Sequence, residues 1–71
     1  MDPLRLAVGR AVKRLRRAAR LTQRELATRA GVSPYFLGRL ERGQVNVSLD
    51  VLARIAEALR VDVSDFFGPG E

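Results

Sequence analysis

Residues 22–43 read TQRELATRAGVSPYFLGRLERG. Thr22 followed three residues later by Glu25 is the spacing of a capping box at a helix start. Leu26, Ala27 and Ala30 then form one apolar stripe at helical spacing. Gly31 stops that helix, because a left-handed backbone costs glycine nothing. Ser33 caps a second helix and Pro34 occupies its first turn, where a missing N–H does no harm. Leu37 and Leu40 make the inner face of residues 33–42, and Gly43 is the next stop. Two short helices joined by a tight glycine-containing turn are the sequence form of a helix-turn-helix.

Working outward, Asp2-Pro3 opens an earlier helix as cap and first-turn proline. Val8, Val12, Leu15 and Ala19 give it one apolar face, while Arg10, Lys13, Arg14 and Arg17 lie off that face. A basic amphipathic helix can rest on an anionic membrane, but this stripe has a home against the helices that follow. Gly38 sits in the middle of the 33–42 helix and costs about 1 kcal/mol relative to Ala. A surface lying close to the helix would explain it; so would plain tolerance of a small residue. After a polar-apolar loop at 44–47, Ser48 caps a helix in which Leu49, Leu52, Ile55, Ala56 and Leu59 recur on one side. Val61 and Val63 follow in an extended link. Ser64-Asp65 starts a last turn carrying Phe66 and Phe67, and residues 68–71 read as a tail without packing residues. The expectation is one all-α domain of five helices over residues 1–71.

With 71 residues, only a small core can form, and a second copy of the chain could supply the missing burial. Cysteine and histidine are both absent, which excludes a disulfide framework, a structural zinc and a histidine-based catalytic site. Glu25, Glu41, Asp50 and Glu57 form no paired-acid constellation, so no enzyme, metal or cofactor is expected. No apolar run is long enough for a membrane span. Charge is uneven: residues 1–42 hold eleven Lys/Arg against three Asp/Glu, and residues 43–71 hold two against five. A basic half beside an acidic half suggests a polyanionic partner for one face only. On composition alone, a merely solvated basic surface stands equally well.

The run LTQRELATRAGVSPYFLGRLERG, followed by NVSLDVLARIAEALRVDVSDFF, resembles the Cro/CI/XRE class of helix-turn-helix DNA-binding proteins. Leu21-Thr22-Gln23, Leu26-Ala27, Gly31-Val32-Ser33, Leu40-Glu41 and Ile55-Ala56-Leu59 agree with that class in order and spacing. The chain is similar in kind to phage repressor DNA-binding domains and restriction–modification controller proteins. The resemblance implies a compact five-helix, lambda-repressor-like fold whose third helix enters the major groove of double-stranded DNA. It implies a cytoplasmic, nucleoid-associated regulator binding a palindromic operator as a homodimer, with no small-molecule ligand.

Carried onto this chain, Ser33, Pro34, Tyr35, Gly38 and Arg39 are the base-reading candidates, with Arg39 the best guanine reader because a guanidinium can bond O6 and N7 together. Arg20, Gln23, Arg24, Phe36, Arg42, Gln44 and Asn46 are the phosphate-side candidates. Arg16 and Glu41 match a pair that ties the first helix to the third. Val61, Val63, Phe66 and Phe67, with Leu49 or Val45, are the expected dimer contact; closing the monomer's own core is the other use open to them. The chain departs from the pattern at Arg20 and Arg60, where glycine is common, and at Gly38, where a small hydroxyl residue is common. An antitoxin-like protein-interaction module on the same fold is the alternative function.

Overall fold

The computed structural model describes residues 2–68. Four α-helices follow one another: α1 Pro3–Ala18, α2 Gln23–Ala30, α3 Pro34–Glu41 and α4 Leu49–Leu59, with a single 3-10 turn at Val63–Phe66. The fifth helix expected near the C-terminus is therefore a four-residue 3-10 turn, a length at which the tighter i→i+3 bonding is the usual outcome. Of the tail expected at 68–71, residues 69–71 lie outside the described residues. No helix among the described residues is long and apolar enough to cross a membrane.

Every helix starts on the side chain that the sequence offers as its cap. Asp2 accepts from the Leu4 N–H at 2.9 Å, Thr22 from Glu25 at 3.0 Å, Ser33 from Phe36 at 3.0 Å and Ser48 from Val51 at 3.1 Å. Helix ends are equally uniform. A left-handed residue stands at Arg20, Gly31, Gly43 and Arg60, with φ of 61°, 73°, 74° and 59°. The next residue's N–H then bonds the carbonyl five positions back: Leu21 to Arg16, Val32 to Ala27, Gln44 to Arg39 and Val61 to Ala56. Two of the four stops are thus arginines in a conformation that costs an L-residue roughly 1–2 kcal/mol. The departures at positions 20 and 60 are strained left-handed turns.

The core draws on every helix. Val12, Leu26, Ala27, Leu37 and Ile55 have no exposed surface, and Val8, Ala11, Ala30, Leu40, Leu52, Ala56, Leu59 and Phe66 complete the buried cluster. α2 packs on α4 and α3, α1 packs on α3, and the 3-10 turn closes against α1 and α4. Phe66 is 2% exposed, so of the two uses open to it, dimer contact or closure of the monomer's core, this position takes the second. The ring is consumed by the monomer's own core, where burying it contributes about 1.5–3 kcal/mol. Ala19, placed by periodicity on the inner face of the first helix, instead caps α1 and is exposed.

The α1–α3 crossing rests on two features. Gly9 lets the backbones meet: a methyl group there would collide with the carbonyl oxygens of Leu40 and Glu41, the latter 2.8 Å away. Two turns further along α1, the buried Arg16 grips the buried Glu41. Its Nε donates to Oε2 at 2.7 Å and its Nη2 to Oε1 at 3.1 Å, while Nη1 donates to the Leu21 carbonyl at 2.8 Å. This pairing is the one expected of residues 16 and 41. Its planar, two-pronged form satisfies both carboxylate oxygens, as a buried charge requires.

Three outcomes follow. Gly9→Ala should lower stability by about 1–3 kcal/mol, the usual penalty of overpacking, read as a fall in melting temperature. Glu41→Ala should cost about 3–5 kcal/mol because it strands a buried guanidinium; melting like the parent would refute the clamp. Acid should also destabilise the fold. The Thr22 backbone N–H and hydroxyl hold the Glu25 carboxyl below the ordinary glutamate range, and Ser64 does the same for Asp62. A carboxyl with a depressed folded-state pKa contributes its stability above the unfolded value, near pH 4, and loses it as pH falls further. Melting temperature should therefore drop between about pH 5 and pH 2, and Glu25→Gln should flatten that dependence.

Candidate nucleic-acid interface

α3 owes its orientation to its inner face. Leu37 and Leu40 are buried, and the helical period turns Pro34, Tyr35, Arg39 and Arg42 the other way. Pro34 and Arg42 are exposed, Tyr35 is 74% exposed, and Arg39 is half-buried. The two arginines are held by the loop that follows. Arg39 Nη2 donates to the Gln44 carbonyl at 3.2 Å, and Arg42 Nε donates to Gln44 Oε1 at 3.4 Å. Arg39 also stands over the Tyr35 ring, 6.0 Å from its centroid, at the outer limit of a cation–π contact. One bond to Gln44 leaves the Arg39 guanidinium with ample donors for a two-pronged contact. The Ser33 hydroxyl accepts the cap bond from Phe36 and still carries its own proton.

Gly38 departs from the expected outward map. It is buried, covered from outside by its neighbours: the position a Cβ would take lies 3.5 Å from Arg42 Nη1 and 3.7 Å from Gln23 Oε1. The helical period points residue 38 outward correctly, but with no side chain of its own the site is roofed by two longer ones. Gln23 is half-buried. Its Nε2 donates to Glu41 Oε1 at 2.9 Å, so Glu41 accepts from α1 and α2 together.

The N-terminus of α2 is occupied from within. Glu25 accepts from the Thr22 N–H at 2.8 Å while Thr22 Oγ1 accepts from the Glu25 N–H at 3.0 Å. The anion attraction expected of a helix start is partly met by the Glu25 carboxylate. Arg20, Arg24, Gln44 and Asn46 are all exposed, and Phe36 is half-buried. Arg10, Lys13, Arg14 and Arg17 on α1 are exposed too, with Arg10 and Arg14 beside Asp65 and Phe67 at the 3-10 turn.

A second feature lies around the start of α1. Leu4 is 60% exposed, Leu49 75% and Phe67 47%. All three line one apolar groove together with Val45, Val47 and Leu52. Val61 and Val63 are half-buried and border a different, acid-rimmed depression with Asp50, Glu57 and Asp62. The expected dimer residues are thus split between two surfaces. Leu4 was missed by the sequence reading; it continues the Val8, Val12 spacing one turn earlier, which is the spacing of a core residue, yet among the described residues it stays largely uncovered.

This geometry has close parallels. The profile of the helix-turn-helix domain family matches residues 7–66. An immunity repressor protein of Bacillus phage phi105 is 38% identical over 63 residues, covering 89% of this chain and 44% of the repressor. The chain thus spans less than half the length of that relative. Among solved structures, the clp gene regulator ClgR from Corynebacterium glutamicum superposes with a TM-score of 0.92 at 39% identity, over 97% of this chain and 73% of that one. The restriction–modification controller protein C.AhdI from Aeromonas hydrophila gives a TM-score of 0.87 at 35% identity, over 89% and 96%. With a capped two-helix unit, an outward-facing third helix and a family match across most of its length, the chain belongs to the helix-turn-helix family, in its Cro/CI/XRE branch.

Proposed function

We propose that this protein is a sequence-specific double-stranded DNA-binding regulator that lays the outer face of α3 in the major groove. The observation that carries this reading is the arrangement of α3. Leu37, Leu40 and Glu41 fasten its back, while Tyr35, Arg39 and Arg42 stand outward on a surface flanked by further arginines. Arg39, with the exposed edge of Ser33, Pro34 and Tyr35, supplies base contacts. Arg20, Arg24, Arg42, Gln44 and Asn46 supply backbone contacts, which fix register without reading sequence. Phe36 borders the same strip.

A second copy completes the protein. The groove of Leu4, Val45, Val47, Leu49 and Phe67 is the contact we assign. It offers protruding side chains and a hollow on the same patch, which a two-fold interface needs. Val61 and Val63 are secondary to it. The longest dimension of the fold is 26 Å, so two copies side by side can reach half-sites one DNA turn apart, about 34 Å. Control by occupying an operator in the bacterial cytoplasm fits the likeness to a phage immunity repressor.

Selection of bound duplexes from a random pool, repeated at two salt concentrations, tests this. A palindromic consensus should emerge, with affinity falling steeply as salt rises. Arg39→Ala should relax preference at one position per half-site by about 1–3 kcal/mol. Leu49→Asp should shift sedimentation toward monomer and weaken operator binding while leaving the fold intact. Failure to bind any duplex at low salt would overturn the proposal.

A further inference from the structure

The surface at the middle of α3 is made partly by α2. Gly38 contributes no side chain, and two longer ones close over it: Arg42 Nη1 lies 3.5 Å from the Cβ position, and the amide Oε1 and Nε2 of Gln23 lie 3.7 and 3.8 Å from it, in ordinary contact. Gln23 belongs to α2, yet its polar end is delivered to the recognition surface.

The amide is also oriented. A carboxylate can only accept hydrogen bonds, so the contact with Glu41 Oε1 at 2.9 Å commits the Gln23 nitrogen and fixes which way the group is turned. Glu41 in turn is held by Arg16 through two bonds. After one N–H is spent on Glu41, the Gln23 amide keeps one N–H donor and one carbonyl acceptor. A phosphate can use only the donor. Adenine in the major groove offers an acceptor at N7 beside a donor at N6, which uses both. A side chain whose rotamer is already set by a buried ion pair also loses little freedom on binding.

We propose that Gln23 is a specificity-determining residue that reads adenine through the gap left by Gly38, and that the Arg16–Glu41 pair positions it. This rests on the reading of α3 as the major-groove helix. It differs from the backbone-contact role that the family resemblance implies for the same residue.

The test is duplex selection from a random pool with the full chain, its Gln23→Ala variant and its Gln23→Lys variant, each checked for folding by thermal melting. Lysine keeps a donor for Glu41 and a positive charge for phosphate but has no acceptor, so it preserves the fold and any backbone contact while removing the adenine match. The parent should select an A·T pair at one position in each half-site. Gln23→Ala should lose that preference by about five- to 150-fold with the remaining consensus unchanged. Gln23→Lys should lose it too, or move it to guanine. If Gln23→Ala weakens every duplex by the same factor, or Gln23→Lys keeps the adenine preference, the inference is overturned while the DNA-binding reading stands. If the parent selects no consensus, both fall.

Discussion

The structure depends on one buried ion pair. Arg16 and Glu41 lie between α1 and the last turn of α3, and the carboxylate accepts three hydrogen bonds from two helices. Two bonds come from α1 and one from α2, and the remaining arm of Arg16 holds the Leu21 carbonyl in the α1–α2 link. An eight-residue helix such as α3 is far below the length at which helices persist alone in water. Its place is therefore dictated by what it packs against. Leu37 and Leu40 set its rotation, and Glu41 fixes its position along its axis. Gly9 makes the arrangement possible, since only a residue without a side chain lets α1 approach the Leu40 and Glu41 carbonyls so closely.

A pair of this kind contributes less to net stability than its bonds suggest, because two charges have been taken out of water. Both charges are fully paired, so loss of either partner would strand the other in the core. The same logic reaches the outer face. Gln23 is turned by Glu41, and Arg39 and Arg42 are bracketed by Gln44, so the exposed polar groups start from defined positions. Against this order stand two strained turns, Arg20 and Arg60. Arg20 adds a charge to the basic half of the chain. Nothing in the structure explains the choice of arginine at position 60.

Much of the design was legible before any coordinates. Asp2, Thr22, Ser33 and Ser48 are all caps in the structure because an N-cap is a local event, settled by a side chain and a backbone N–H two or three residues away. Leu26, Leu37, Leu40, Ile55 and Leu59 were assignable to the core because the helical period is local too. Arg16 and Glu41 were not paired by any local rule; twenty-five residues separate them, and only the family resemblance brought them together. The gaps share one cause. Periodicity says which way a residue points and is silent on what lies there. Gly38 points outward and is roofed by Gln23 and Arg42; Phe66, open to either a second copy or the monomer's own core, is taken by that core.

The amino-acid sequence by itself determined where the four α-helices begin, where glycine ends two of them, which side of each is apolar, and that one half of the chain is cationic. These are matters of caps, left-handed stops and residue spacing, all decided within a few positions. Only the tertiary structure decided how closely α1 approaches α3, which amide stands at the centre of the recognition face, and which apolar residues are left without cover. Those depend on distances between segments far apart in the chain, set by the joint packing of the helices around a core too small to bury them all.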